Sequence, residues 1–223
     1  MSYDATRDRV EHYFDRTATK VWERLTSDAP VSRIRETVRK GRDQMRDKLL
    51  SALPSDLNGV RVLDAGCGAG QMTQELAQRG ADVVAVDISP SLVRIAQDRL
   101  PEHLQSRVTF ASGDMLSADH GTFDHVIAMD SLIYYTGADI RAALSRLGER
   151  TRGAIAFTVA PRTPLLMTMW YAGKVFPKSD RSPTMIPHGP QRLSKTVSDI
   201  GQLTDLGRVN SGFYISQALE FRP

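Results

Sequence analysis

The 223-residue chain has a single cysteine, Cys67. A disulfide framework is therefore excluded, and without a second thiol so is a zinc ribbon. One lone thiol suits a reducing cytoplasm. No apolar run reaches the ~18 residues that a membrane span requires. Asp4, Arg7, Asp8 and Arg9 stand where a signal peptide would be apolar, so the expected location is cytoplasmic. An excess of one charge sign is missing too. The 29 basic side chains meet 26 acidic ones, for a net charge of +3, which is too balanced to argue for a nucleic-acid partner. The acidic side chains are too dispersed along the chain to suggest a metal site of its own. What the chain does have is bulk: 41% of its residues are hydrophobic, and its length allows a core that needs no staples.

Residues 1–57 read as a helical cap. Tyr13, Phe14, Val21, Trp22 and Leu25 form one run at helix-like spacing, and Ile34, Val38, Met45, Leu49 and Leu50 form a second. Pro30 and Pro54 end the two runs. The basic stretch Arg33–Lys48 is interleaved with Glu36, Asp43 and Asp47, as on a solvated helix face. From residue 58 to 160 the pattern changes. Short apolar runs (Val60–Leu63, Val83–Val86, Val108–Phe110, Phe123–Met129, Ala154–Val159) alternate with helical stretches (Gln71–Arg79, Ser91–Leu100, Asp139–Arg150). That alternation predicts a doubly wound α/β fold with a mostly parallel sheet. Residues 161–190 break it with Pro161, Pro164, Pro177, Pro183, Pro187 and Pro190 around an apolar stretch, and read as an inserted lid. Residues 191–223 read as a helix and an antiparallel edge hairpin over roughly Gly207–Phe221.

The sharpest local signal is Asp64-Ala65-Gly66-Cys67-Gly68-Ala69-Gly70, between the first strand and its helix. A dinucleotide site wants Gly-x-Gly-x-x-Gly with a pyrophosphate at the helix N-terminus. Here Gln71 takes the place of the last glycine, and a carboxylate sits beside the loop. That arrangement repels a diphosphate and suits a cationic ligand. Three more acids follow the next three strands: Asp87 before Ile88, Asp114 before Met115, and Asp130. All occupy carboxyl ends of parallel strands, where open α/β sheets bind ligands.

On these motifs residues 58–160 resemble the class I methyltransferases, which use S-adenosylmethionine. The resemblance implies that Asp64, Gly66, Cys67 and Gly68 line the methionine end. It implies that Asp87, beside Ile88, holds the ribose hydroxyls, that Asp114 takes the adenine amino group with Met115 beside the ring, and that Asp130 lies near the sulfonium. Three further segments narrow the match: Glu11–Thr17 with Trp22 and Arg39–Arg42; Asp130–Tyr135; and Thr158–Pro161 with Phe176–Pro177 and Arg181–His188. Together they resemble the magnesium-protoporphyrin IX O-methyltransferases of chlorophyll and bacteriochlorophyll synthesis. The implied reaction is methylation of one propionate of magnesium protoporphyrin IX, the magnesium belonging to the substrate. Relatives in oxygenic organisms tend to read Leu-Ile-His-Tyr where this chain has Leu132-Ile133-Tyr134-Tyr135. The implied partners are the porphyrin and the large porphyrin-binding subunit of magnesium chelatase. The 165–176 segment offers peripheral contact with the photosynthetic membrane.

A propionate is already ionised at neutral pH, so no strong base is needed. Positioning dominates, and Tyr134 is the first candidate to aim the nucleophile by hydrogen bonding, with Tyr13 and His188 after it. Arg162, Trp170, Arg181 and His188 are candidates to hold the substrate. Two other readings remain open: methylation of another small apolar acceptor such as a quinone precursor, and a carrier that binds porphyrin without turnover.

Overall fold

The computed structural model describes residues 3–15, 26, 32–163, 167 and 183–223. Helices α1 (Tyr3–Tyr13) and α2 (Arg33–Leu50) precede a β–α alternation. It runs β1 (Arg61–Ala65), α3 (Gln71–Gln78), β2 (Asp82–Asp87), α4 (Pro90–Arg99), β3 (Val108–Ser112), β4 (His125–Ala128), α5 (Gly137–Gly148) and β5 (Ile155–Pro161). The short β6 (Pro187–His188), α6 (Pro190–Val197), β7 (Gln202–Ser211) and β8 (Tyr214–Arg222) close the chain. The sheet order is β3-β2-β1-β4-β5-β8-β7, and β6 pairs with the end of β5. Strands β1 to β5 are parallel, while β8 runs antiparallel to both β5 and β7. The doubly wound sheet with an antiparallel edge hairpin is thus the fold the alternation predicts. Strand order reverses between β1 and β4, and the crevice at that switch point is where such sheets bind ligands.

The strands are apolar on both faces because helices cover both. Leu63, Val84, Val86, Ile155 and Phe157 feed the core on one side. Val62, Val83, Ala85 and Ala156 feed the core on the other. In β1 this period of two carries Asp64 to the same side as Val62, toward Thr73 on α3, and leaves it 1% exposed. Helix starts are built as the sequence suggests. Ser89 caps α4 through the Leu92 amide, and Thr136 with Asp139 makes a capping box on α5.

Within the expected cap of residues 1–57, α1 covers Tyr3–Tyr13, and Val21, Trp22 and Leu25 lie outside the described residues. In α2 the buried face is Gly41, Met45, Leu49 and Leu50, while Ile34 at its start is 55% exposed. Helix α2 packs on β7 and β8, with the Ser211 hydroxyl donating to the Thr37 carbonyl at 2.9 Å. The basic stretch is also more than a solvated face. Arg42 and Arg46 turn inward to a cleft, and the Lys48 ammonium donates to the Leu206 carbonyl at 3.2 Å.

Candidate active site

The carboxyl ends of β1, β2, β3 and β4 surround one cleft with about 1030 Å³ of empty space. Asp64, Gly66, Cys67, Gly68, Asp87, Ile88, Asp114, Met115, Asp130 and Tyr134 all line it. Nine of these were candidates for the donor and one for catalysis, and they come from loops far apart in sequence. The cleft is roofed by Tyr3, Arg7, Val10 and Phe14 of the N-terminal segment.

Asp87 organises the glycine loop. One of its oxygens accepts from the Gly68 amide at 2.8 Å, and the other accepts from the Ser89 amide at 2.9 Å. Gly68 has a φ of +54°, and a side chain there would point into open space, so its bare backbone faces the cleft. Asp64 accepts a hydrogen bond from the Thr73 hydroxyl at 2.6 Å. Burial, with a smaller contribution from neighbouring Asp87, lifts its pKa to about 7. Burial raises Asp87 as well, opposed by the Ser89 and Gly68 amides. Two buried carboxylates held this way are relieved by a positive ligand. The same burial pushes the Cys67 thiol well up, so it stays neutral and serves as packing in the loop.

Asp114 accepts from the Tyr3 phenol at 2.8 Å and the Leu116 amide at 2.9 Å, with Arg7 at 3.5 Å. The Tyr3 ring stacks on Tyr135 at 4.9 Å. Burial, together with the negative charge of Asp114, raises both phenols, which remain protonated donors. Asp130 has a φ of +58°, the one non-glycine residue with positive φ among those described, and such strain gathers at functional sites. It is held by an ion pair with Arg42, by the Tyr214 phenol at 3.0 Å, and by Thr158, whose hydroxyl accepts from its amide at 2.8 Å. Asp130 therefore lines the cleft with a charge already neutralised by Arg42.

Tyr13 does not reach the cleft. Tyr3, Arg7, Val10 and Phe14 recur at intervals of four, three and four residues, which is one helix face. Tyr13 is rotated about 100° from Phe14 and packs edge-on against it, with centroids 5.2 Å apart. Phe14 in turn meets Tyr134 edge-on at 6.3 Å. His188 is also displaced. Its Nε2–H donates to the Tyr135 carbonyl at 2.9 Å, and it lines a second cleft together with Arg162. Trp170 and Arg181 lie outside the described residues. Sequence reasoning missed Tyr3, Arg7, Arg42, Arg46 and Tyr214. The spacing of Tyr3 with Arg7 and Val10 was a usable signal; the meeting of Arg42 with Tyr214, 172 positions apart in the chain, had none. Among the described residues no cluster of His, Cys, Asp and Glu could hold a metal ion.

Comparison with known proteins agrees with this geometry. The family described as magnesium-protoporphyrin IX methyltransferase C-terminus matches residues 128–223, and a general methyltransferase domain matches residues 62–152. The chain is 58% identical to the magnesium-protoporphyrin O-methyltransferase of Rhodobacter capsulatus, covering 99% of this chain and 98% of that one. It is 32% identical to the Synechocystis enzyme of the same name over 95% of this chain and 94% of the relative. The crystal structure of magnesium protoporphyrin IX methyltransferase from Synechocystis PCC 6803 with bound SAH superposes with a TM-score of 0.82 at 31% identity, over 96% of this chain and 98% of that one. A cradle built for a cationic donor, the sheet order and similarity along the whole chain agree: this protein belongs to the magnesium-protoporphyrin O-methyltransferase family.

Proposed function

We propose that this chain methylates one propionate carboxylate of magnesium protoporphyrin IX with S-adenosylmethionine, giving the monomethyl ester. The observation that carries the substrate is the 58% identity, end to end, to an enzyme of that name. The cleft supports the donor independently, through buried Asp64 and Asp87 beside the open face of Gly68. When bound, the donor supplies an electrophilic methyl on a positively charged sulfur. Asp64 accepts its ammonium group, Asp87 its ribose hydroxyls and Asp114 its adenine amino group, with Ile88 and Met115 against the ring. Asp114 exchanges its Tyr3 contact for that amino group.

The attacking propionate and the donor carry opposite charges that vanish in the transition state. An unpaired cation beside the attacking oxygen would therefore hold the ground state more than the transition state. The cleft meets this condition on the β4 side, where Arg42 is paired with Asp130. Neutral Tyr134, buried at 7% exposure, aims the carboxylate. Orientation of this kind can supply about 7–11 kcal/mol of barrier lowering in total. The proposal extends to receipt of the porphyrin from the large chelatase subunit and to peripheral membrane contact; no helix among the described residues is long and apolar enough to cross a membrane.

Purified protein with magnesium protoporphyrin IX and S-adenosylmethionine should yield the monomethyl ester. Methylation of quinols or phenols with the porphyrin untouched would overturn the substrate. Tyr134→Phe is expected to lower kcat about 10- to 100-fold with adenosylhomocysteine affinity retained. Normal turnover in that variant would clear Tyr134 of its role.

Asp64 gives a pH dependence of definite sign. The ammonium favours the carboxylate, whereas the ligand-free protein holds a proton there up to about pH 7. Donor affinity should therefore rise about tenfold per pH unit up to about pH 7 and level off above it, with release of one proton in calorimetry. Stability of the ligand-free protein runs the other way. The folded pKa lies above the unfolded value of ~3.9, so this contribution is full below that value and is lost as pH climbs to about 7. Asp64→Asn should flatten both profiles; persistence of either would assign it to another group.

A further inference from the structure

Beside the donor cleft lies a second one with about 1130 Å³ of empty space, at the carboxyl end of β5 between the N-terminal ends of α5 and α6. Arg141, Arg162, Arg192 and His188 line it, and no acidic side chain does among the described residues. Arg141 is paired with Asp199, which is outside the lining. Arg162 and Arg192 meet no carboxylate among the described residues. His188 adds no charge: burial, then the nearby Arg192 against the opposing Tyr135 bond, keeps its pKa low. Gly189, Arg192 and Leu193 bring the N-terminal turn of α6, the positive end of its helix dipole, into the lining, with the Arg192 and Leu193 amides themselves bonded to the Gly189 carbonyl. Ile186, Pro187 and Leu193 give the same cleft an apolar wall.

Its position relative to the donor cleft is definite. The Leu132–Tyr135 turn, on the donor side, and residues 186–188, on the other, together form the wall between the two clefts. The Tyr134 and Tyr135 side chains line the donor cleft. The Ile133 and Tyr135 carbonyls face the other way, accepting from the Ile186 amide at 2.8 Å and from His188 at 2.9 Å. The wall is therefore two hydrogen-bonded chain segments thick, and neighbouring segments of this kind lie about 5 Å apart. A ligand with two carboxylates on one edge of a flat ring can place one on each side of it.

We propose that the Arg162–Arg192 cleft is an anion subsite that holds the second, non-reacting carboxylate of the substrate. This rests on the porphyrin reading above and deepens it. The charge is placed where it helps: the non-reacting carboxylate keeps its charge throughout, so an arginine on it binds ground state and transition state alike. The reacting carboxylate faces neutral Tyr134 on the other side of the turn. The subsite fixes which end of the molecule meets the methyl, and it retains the monomethyl ester after transfer, because that product still carries the second carboxylate.

The test is fluorescence titration of magnesium protoporphyrin IX, its monomethyl ester product and its dimethyl ester, with wild type, Arg162→Gln, Arg192→Gln and the double variant. Arg152→Gln, at an exposed arginine beside Asp124, controls for net charge. The diacid and the monoester should each bind about tenfold more weakly per substitution, and the dimethyl ester should bind weakly to all proteins alike. In turnover, KM should rise with kcat and adenosylhomocysteine affinity held. Equal binding of monoester and dimethyl ester to wild type, or no response to the substitutions, overturns the subsite and leaves the methyl-transfer reading standing. The expected binding pattern without ester formation does the reverse. If the substitutions spare all three porphyrins and instead abolish binding of an oligoglutamate peptide, the cleft belongs to an acidic protein partner and the proposal fails.

Discussion

Asp87→Ala is expected to weaken adenosylhomocysteine binding by about 30- to 150-fold, or about 2–3 kcal/mol, as charge-assisted hydrogen bonds to a ligand are lost. The loss has two sources. A carboxylate at the end of β2 accepts from ribose hydroxyls, and alanine removes that directly. The same carboxylate also bridges the Gly68 and Ser89 amides, tying the first β–α loop to the cap of α4. Without it both amides lose their acceptor and the loop loses its shape. Asp87→Asn separates the two effects. Its single carbonyl oxygen can keep one amide bond, so it should retain more of the loop than alanine does while still weakening the ribose contact. Calorimetric titration decides the matter, and unchanged affinity in both variants would remove the ribose assignment. Denaturation midpoints of the ligand-free proteins report the loop contribution separately.

The second large effect is on folding. Gly66 has a φ of +86°, and a Cβ there would lie 2.5 Å from the Ser131 Cβ. Its amide donates to the Val86 carbonyl at 2.8 Å, so the backbone has little room to turn away. Gly66→Ala should therefore cost about 1–2 kcal/mol for the left-handed backbone and about 1–3 kcal/mol for the overlap. The sum is a large share of the stability of an ordinary domain. Adding Ser131→Gly removes the overlap and leaves the backbone strain, so the double variant should recover only part of the loss. Full recovery would show that φ costs nothing here; no recovery would show that Ser131 is not the obstacle. Chemical denaturation of the wild type and the two variants gives the answer, and donor affinity should follow the same order because Gly66 lines the cradle.

The donor half of the cleft was legible in the sequence because it is built at strand ends. Once β1 to β4 are recognised by their apolar runs, the residues that end or closely follow each run must fall at the carboxyl edge of the sheet. Asp64, Asp87, Asp114 and Asp130 were found on that rule, and all four line the cleft. The departure of Gln71 from the dinucleotide pattern likewise pointed to a cation over a diphosphate, and the raised pKa of Asp64 agrees. The acceptor half was less legible. The sequence offers Tyr13 as a hydrogen-bond donor to the nucleophile, yet one step along a helix turns a side chain about 100°, and Tyr3 takes the inner position. His188 was chosen as a lone histidine in a proline-rich segment, and strand β6 carries it to the far side of the Leu132–Tyr135 turn.

The sequence alone determined the alternating fold, the cradle at the first β–α junction and the positive charge of what it holds. These depend on short-range rules: apolar period, glycine at a turn, an acid at or just past the end of a strand. Only the tertiary structure decided that Arg42 of α2 would neutralise Asp130 and that Tyr214 of the last strand would hold the pair. It alone decided that Arg162, Arg192 and His188 share a cleft with no acid in its described wall. Those meetings are set by how helices and the edge hairpin pack across the sheet, and packing joins residues whose separation along the chain carries no periodic trace.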